Sequence, residues 1–183
     1  GYACPLSKES RYPHQQEQFA FMNWQPSDLY GTGQGLDPHS GTKALVAVYQ
    51  TDQTGKTYVK ADNWLISPPL SGKAQKVRFY VNNYAGTDFG NEAFEVLVSS
   101  TDKAKESSQL IGDIYTQTGG SWTEINVDLP EGTNYFAIRH TTSADQAFLF
   151  MIDDITYEGG NTPTGYRVYC DGQYLGAAEQ PGY

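Results

Sequence analysis

Basic residues are scarce in this chain: 12 Lys and Arg stand against 21 Asp and Glu, for a net charge of −9. Nucleic acid requires a basic footprint for its phosphates, so that class of partner is excluded, and so is an anionic membrane surface. No run reaches the ~18 apolar residues of a transmembrane helix, so no membrane insertion is expected. Cysteine is limited to Cys4 and Cys170. Two cysteines carry no pairing pattern, and a disulfide between the chain ends in an oxidising compartment is left open. The three histidines, His14, His39 and His140, show no metal-binding spacing: H-E-x-x-H and paired C-x-x-C knuckles are absent. There is no G-x-S-x-G elbow and no P-loop or dinucleotide fingerprint. GTGQG, residues 31 to 35, lies in a polar loop without a helix after it. The start GYACPL lacks a basic n-region and an apolar h-region, so any targeting segment is expected upstream.

What is present is aromatic and turn-rich. Tyr alone accounts for 14 residues, Gly and Pro for 19 and 9, and only 18% of the chain is charged. No stretch reads as an amphipathic helix. Alternating runs recur instead. In KVRFYVNN (76 to 83), Val77, Phe79 and Val81 share a face, and in NEAFEVLVSS (91 to 100) Phe94, Val96 and Val98 do. WTEINVDL (122 to 129) groups Ile125, Val127 and Leu129. FAFMNW, ALVAVYQ, NYFAIRHTT and the run at 148 to 157 add further strands. DNWLISPPL is expected at a sheet margin, because Pro68 and Pro69 cannot donate to a ladder. About eight strands at regular spacing predict an all-β fold, an antiparallel jelly-roll β-sandwich. Beyond the linker GGNTPTG, Asp171-Gly172 between two strand-like runs signals a hairpin.

Five segments in order, DNWLISPPLSG, VRFYV, EAFEVLVSSTDKA, SWTEINVDLPEGTNYFAIRH and MIDDI, resemble the cleaved-adhesin domains. These are the haemagglutinin and adhesin modules of gingipain-type secreted bacterial proteases and related surface proteins. The likeness runs from about residue 39 to 158. The skeleton, L-I-S-P and I-D-D-I above all, is also similar to the MAM domains of extracellular animal receptors, and both families are jelly rolls. YRVYCDGQYLG resembles the first hairpin of a fibronectin-type-III-like module. The implied organisation is a jelly-roll domain over 1–160, then a linker and truncated module over 161–183. Family members open with an acidic Phe-Glu strand and an Asp-rich loop. Nothing in GYACPLSKESRYPHQQEQ matches them, so that first strand is expected to be missing or replaced.

The run FLFMIDDITYEG, 148 to 159, poses the main chemical question. Strand alternation forbids Asp153 and Asp154 from both facing water, and a buried carboxylate needs a partner. Asp154 shares the parity of Phe148, Phe150 and Ile152, so it is expected to point into the sandwich. The compensation is calcium, Arg139 or backbone N–H groups. The resemblance implies calcium on Asp154 and Asp153, with Asp62 and Asn63 as second-rank oxygen ligands. Arg139 and His140 alternate, so one faces inward, and a buried Arg139 paired with an Asp competes with the metal.

Asn91 and Glu92 are candidates for a binding rim after the loop AGTDFG. Trp24 and Tyr30, where the family varies, are candidates for surface contact with ligand, whereas Trp64 and Trp122 fall in strand motifs and are expected to be core or half-buried. No catalytic dyad or triad is expected. The resemblance implies a non-catalytic extracellular or cell-surface adhesin module beside neighbouring domains of the same chain. Its expected partner is a host protein, a matrix component or a glycan; the alternative is an accessory substrate-targeting domain of a secreted hydrolase.

Overall fold

The computed structural model describes residues 2–3, 20–31, 35–52, 54, 56–84, 90–117, 119–160, 166–170 and 173–178. At 2–3, 29–30, 166–170 and 173–178 the backbone alone is described. The strands are β1 (Tyr2–Ala3), β2 (Met22–Trp24), β3 (Ala44–Val48), β4 (Gln50–Thr51), β5 (Tyr58–Val59), β6 (Asn63–Ile66), β7 (Gln75–Asn83) and β8 (Glu92–Ser99). They continue as β9 (Gln109–Leu110), β10 (Tyr115–Gln117), β11 (Thr123–Leu129), β12 (Tyr135–His140), β13 (Leu149–Thr156), β14 (Tyr166–Cys170) and β15 (Gln173–Ala178). Helix among the described residues is limited to α1 (Ser27–Tyr30) and a 3-10 turn at Lys105–Ser107.

Two sheets form the sandwich. One runs β10-β8-β12-β6 with β9 beside β8, and the other runs β11-β7-β13-β3-β2. Every named pair is antiparallel. The chain crosses between the sheets at each step of β6, β7 and β8, and again through β11, β12 and β13. That is jelly-roll winding, as the strand count predicts. Small β1-β4-β5 and β14-β15 sheets stand outside these two.

Alternation places the core. Val77, Phe79 and Val81 of β7 meet Phe94 and Val96 of β8, Phe136 and Ile138 of β12, and Phe150 and Ile152 of β13. Phe94 stacks on Phe150 with centroids 5.2 Å apart, and the Phe79 edge closes on Phe94 at 6.1 Å. A second cluster lies on the outer face of the β13 sheet, where Met22, Trp24 and Leu36 cover Val46, Val48, Leu149 and Met151. Strands β3 and β13 therefore bury both faces, which explains why ALVAV and LFMI are unbroken apolar runs. The double proline stands where expected, just past β6 at the margin of its sheet. Phe150 is fully buried at the centre of the main cluster. Phe150→Ala should cost about 3–5 kcal/mol, read as a lower urea midpoint with unchanged slope.

Candidate functional site

The acidic pair does not obey strand alternation. Pairing of β13 with β7 shifts register between Asp153 and Thr156, and Asp154 adopts φ 50°. Asp is among the few residues that tolerate this left-handed conformation, here within a bulge. Both carboxylates stay half-exposed, so the expectation that Asp154 points into the sandwich is corrected. They turn toward the 39–40 loop. Asp153 Oδ2 accepts the backbone N–H groups of His39 at 3.0 Å and Ser40 at 3.2 Å. Its Oδ1 accepts Asp154 N–H at 2.8 Å. Ser40 Oγ–H donates to Asp154 Oδ1 at 2.6 Å, and His39 Nδ1 lies 2.6 Å from Oδ2. The His39 ring in turn stacks on Tyr80 at 3.6 Å and meets Trp122 edge-on at 5.8 Å.

Of the three compensations foreseen, backbone N–H groups are the ones in place, joined by a hydroxyl and an imidazole. The Ser40 hydroxyl, then His39, hold the Asp154 carboxyl below its ordinary range. All four oxygens of the pair face donor groups. The calcium that the resemblance implies would share these oxygens with the donor groups, since a carboxylate has about four acceptor sites. No three His, Cys, Asp or Glu side chains converge on a metal position among the described residues. Asp62 belongs to the other sheet's surface, where it binds side chains described below.

Glu92 is not at a rim. It is fully buried, while its neighbour Asn91 is exposed and donates its N–H to Gln146 Oε1 at 3.3 Å. Glu92 lies on the parity of Phe94 and Val96, the core face of β8. Its Oε2 accepts Thr142 Oγ–H at 2.6 Å and sits 2.7 Å from His140 Nε2. Its Oε1 accepts Phe148 N–H at 2.7 Å. The Asn63 amide lies 3.1 Å from His140 Nδ1, and Gln50 donates to Asn63 in turn. Asn63 is thus part of this buried chain and not an exposed oxygen ligand. His140, not Arg139, is the inward member of its pair, and its ring stacks on Phe150 at 5.2 Å.

Arg139 faces outward and is shared between two carboxylates. Cross-strand register aligns Trp64 of β6, Arg139 of β12 and Glu95 of β8 in one row. Arg139 Nε donates to Asp62 Oδ1 at 2.7 Å, and Nη1 lies 3.3 Å from Glu95 Oε2. Trp64 Nε1–H donates to Asp62 at 2.7 Å, and Lys105 Nζ is 3.7 Å from the same carboxylate. Arg139 and Lys105 both lie over the Trp64 ring, at 5.0 and 5.2 Å. Partial burial pushes the Asp62 carboxyl up, but the Arg139 and Trp64 hydrogen bonds outweigh it and the net shift is downward.

The remaining aromatic candidates divide. Trp24 is buried under the second cluster, so it is not the surface contact expected of it. Tyr30 ends α1, and its side chain lies outside the described residues, as do His14, Cys4 and the Cys170 side chain. Trp122 is half-buried, with its ring N–H on Asp37 O at 3.0 Å. Trp64 is half-buried, as expected, and stands at the centre of a charged surface.

A two-sheet jelly roll whose polar groups either cross-link its interior or stand in rows on a strand face belongs to the small β-sandwich modules. More particularly, the chain belongs to the cleaved adhesin domain family, whose model matches residues 22–157. The match takes in β2, ahead of the motifs quoted from residue 39 onward. Gingipain R1 and Hemagglutinin A of Porphyromonas gingivalis are each 29% identical over 184 residues, covering 81% of this chain. The alignment covers only 10% and 8% of those relatives. Two solved cleaved adhesin domains of Lys-gingipain from the same organism share the fold. One has TM-score 0.52 and 24% identity, covering 76% of this chain and 92% of its own. The other has TM-score 0.53 and 20% identity, covering 74% and 88%.

Two outcomes follow from these contacts. Because its folded value is depressed, Asp154 contributes stability that is present above its ordinary value of 3.8 and lost as pH falls through the folded value. Asp154→Asn should lower the melting temperature at neutral pH and flatten its fall below pH 3.8. Removing the buried Glu92 side chain takes the acceptor from Phe148 N–H and the partner from His140 Nε2, while Thr142 Oγ–H keeps Ala93 O at 3.3 Å. Glu92→Ala should therefore cost about 1–3 kcal/mol for each buried polar group left unsatisfied, read in denaturant unfolding.

Proposed function

We propose that the chain is a non-catalytic adhesive module of a larger secreted or cell-surface protein, and that its ligand is a glycan on a host or matrix surface. The observation that carries this reading is the outward Trp64–Arg139–Glu95 row with Asp62 and Lys105. It combines a flat aromatic ring with two cations and two carboxylates that sum to no net charge. A neutral polyhydroxylated ligand suits such a surface, because its hydroxyls bridge the fixed donors and acceptors grouped around the indole. Strands hold the groups, so little order has to be gained on binding. Family membership supports an adhesive role.

A second reading has its own support. One relative is named Protease PrtH, and this chain aligns with 18% of it. On that reading the module targets a secreted hydrolase to its substrate. A catalytic domain elsewhere in the same polypeptide would favour it, and an anchor with repeated module copies would favour adhesion.

The test is an array of glycans and matrix proteins probed with the whole chain. Binding to a neutral glycan should weaken at least tenfold, about 1.4 kcal/mol, in Trp64→Ala. Binding only to matrix protein, or binding indifferent to Trp64→Ala, would overturn the glycan assignment.

A further inference from the structure

Most of the Trp64 row is fixed by strands or by hydrogen bonds, and Lys105 is not. Trp64, Arg139 and Glu95 stand on β6, β12 and β8, and Asp62 Oδ1 accepts both Arg139 Nε–H and Trp64 Nε1–H at 2.7 Å. Lys105 opens the 3-10 turn Lys105–Ser107. Its Nζ lies 3.7 Å from Asp62 Oδ2, beyond hydrogen-bond reach, and 5.2 Å from the Trp64 ring centroid. Its side chain is 52% exposed, against 31% for Arg139. An ion pair this open is weak and is screened by salt.

The segment that carries Lys105 is a strap laid over the sheet. It leaves β8 at Ser99 and returns as β9, yet Lys105 reaches Trp64 on β6, two strand spacings or roughly 10 Å away across β12. The strap holds its own shape. Asp102 Oδ1 accepts Ala104 N–H at 2.9 Å, and the same carboxylate takes the Ser107 hydroxyl. Ser107 N–H donates to Ala104 O, and Ser108 N–H to Lys105 O. Its root is tied down, with Thr101 and Asp102 N–H on Ser99 Oγ at 3.3 Å and Asn134 Nδ2 on Ser100 O at 2.6 Å. What it lays on the sheet are two ammonium groups, Lys105 over Trp64 and Lys103 over Tyr135 at 5.7 Å. Beside the root a hollow of about 210 Å³ separates Ser99, Ser100, Ser107 and Gln109 from the 130–133 turn between β11 and β12. The strap has room to shift as a unit.

We propose that Lys105 gates the Trp64 row: a glycan enters by displacing the Lys105 ammonium from the indole and from Asp62, while Arg139 stays in place. The gate rests on the reading of the row as the ligand site. Displacement bares the ring surface beneath the ammonium and frees Asp62 Oδ2 to accept a sugar hydroxyl. A closed gate lowers the apparent affinity in proportion to the fraction of molecules that stand open. Proton NMR of the whole chain tests it, because an aromatic ring shifts the resonances of protons held over its face upfield. The Lys105 ε-methylene signals should lie upfield of those of other lysines at about 0.01 M salt and return to them at about 1 M, with the Arg139 side chain unmoved. Saturation with a neutral glycan that binds on the array should release them in the same way. Lys105→Ala leaves the hydrogen bonds of the row in place and should tighten that glycan's binding about two- to fivefold. Lys105 signals that stay upfield in the complex, or unchanged or weaker binding by Lys105→Ala, would overturn the gate. If no glycan binds, the ligand reading fails and the salt titration decides alone: signals released by salt support the gate, and signals that salt does not move overturn it.

Discussion

A carboxylate sealed between two β-sheets has to be met by donors, and Glu92 imposes that constraint here. Its partners come from three places: the His140 ring at the end of β12, the Thr142 hydroxyl beyond it, and the Phe148 amide at the entry to β13. Glu92 belongs to one sheet and β13 to the other, so a single side chain pins the two sheets at this end of the sandwich. The His140 ring carries the constraint into the apolar core by stacking on Phe150, and Asn63 carries it to β6 and to Gln50 of β4. Four strands and a loop thus depend on one buried carboxyl group having its partners. A loop bound in this way is poorly suited to serve as an adaptable binding rim.

Much of this was legible in the chain. Period-two alternation gave the core faces of β7, β8 and β11, and a double proline marked the sheet margin at β6. The inward direction of Glu92 and His140 was also written in parity, since they share faces with Phe94 and Val96 and with Phe136 and Ile138. Reading polar residues as surface residues hid it. Asp153 and Asp154 failed for a different reason. Alternation holds only while the ladder is regular, and two aspartates at the end of an apolar strand signal a bulge as readily as a buried charge. Both faces of β13 are covered ahead of the pair, so parity could not say which side was core. No sequence pattern announced that residues 39 and 40 would come to meet the pair from more than a hundred positions away.

The two outer faces of the sandwich are used differently. The face outside β13 and β3 is roofed by Met22, Trp24 and Leu36, so it offers no open platform there. The face outside β6, β12 and β8 carries Trp64, Arg139 and Glu95 toward solvent, held by a hydrogen-bonded ladder beneath them. One face thus serves packing while the other presents polar and charged groups to solvent.

The acidic pair belongs to the roofed side, and that answers why it is there. The covering segment has few strand pairings of its own beyond three residues of β2. It is fastened instead by point contacts: Asn82 Nδ2 donates to Gly35 O at 2.6 Å, and Trp122 Nε1 donates to Asp37 O. The last fastening is the 39–40 turn on Asp153 and Asp154, with His39 wedged against Tyr80. Backbone N–H groups at a loop end need acceptors, and two adjacent carboxylates turned outward by a bulge provide four oxygens within reach. A regular strand would have buried one carboxylate and left the turn free. By breaking the ladder at Asp154 the chain turns a buried-charge problem into a latch, and the latch keeps Met151, Val46 and their neighbours covered.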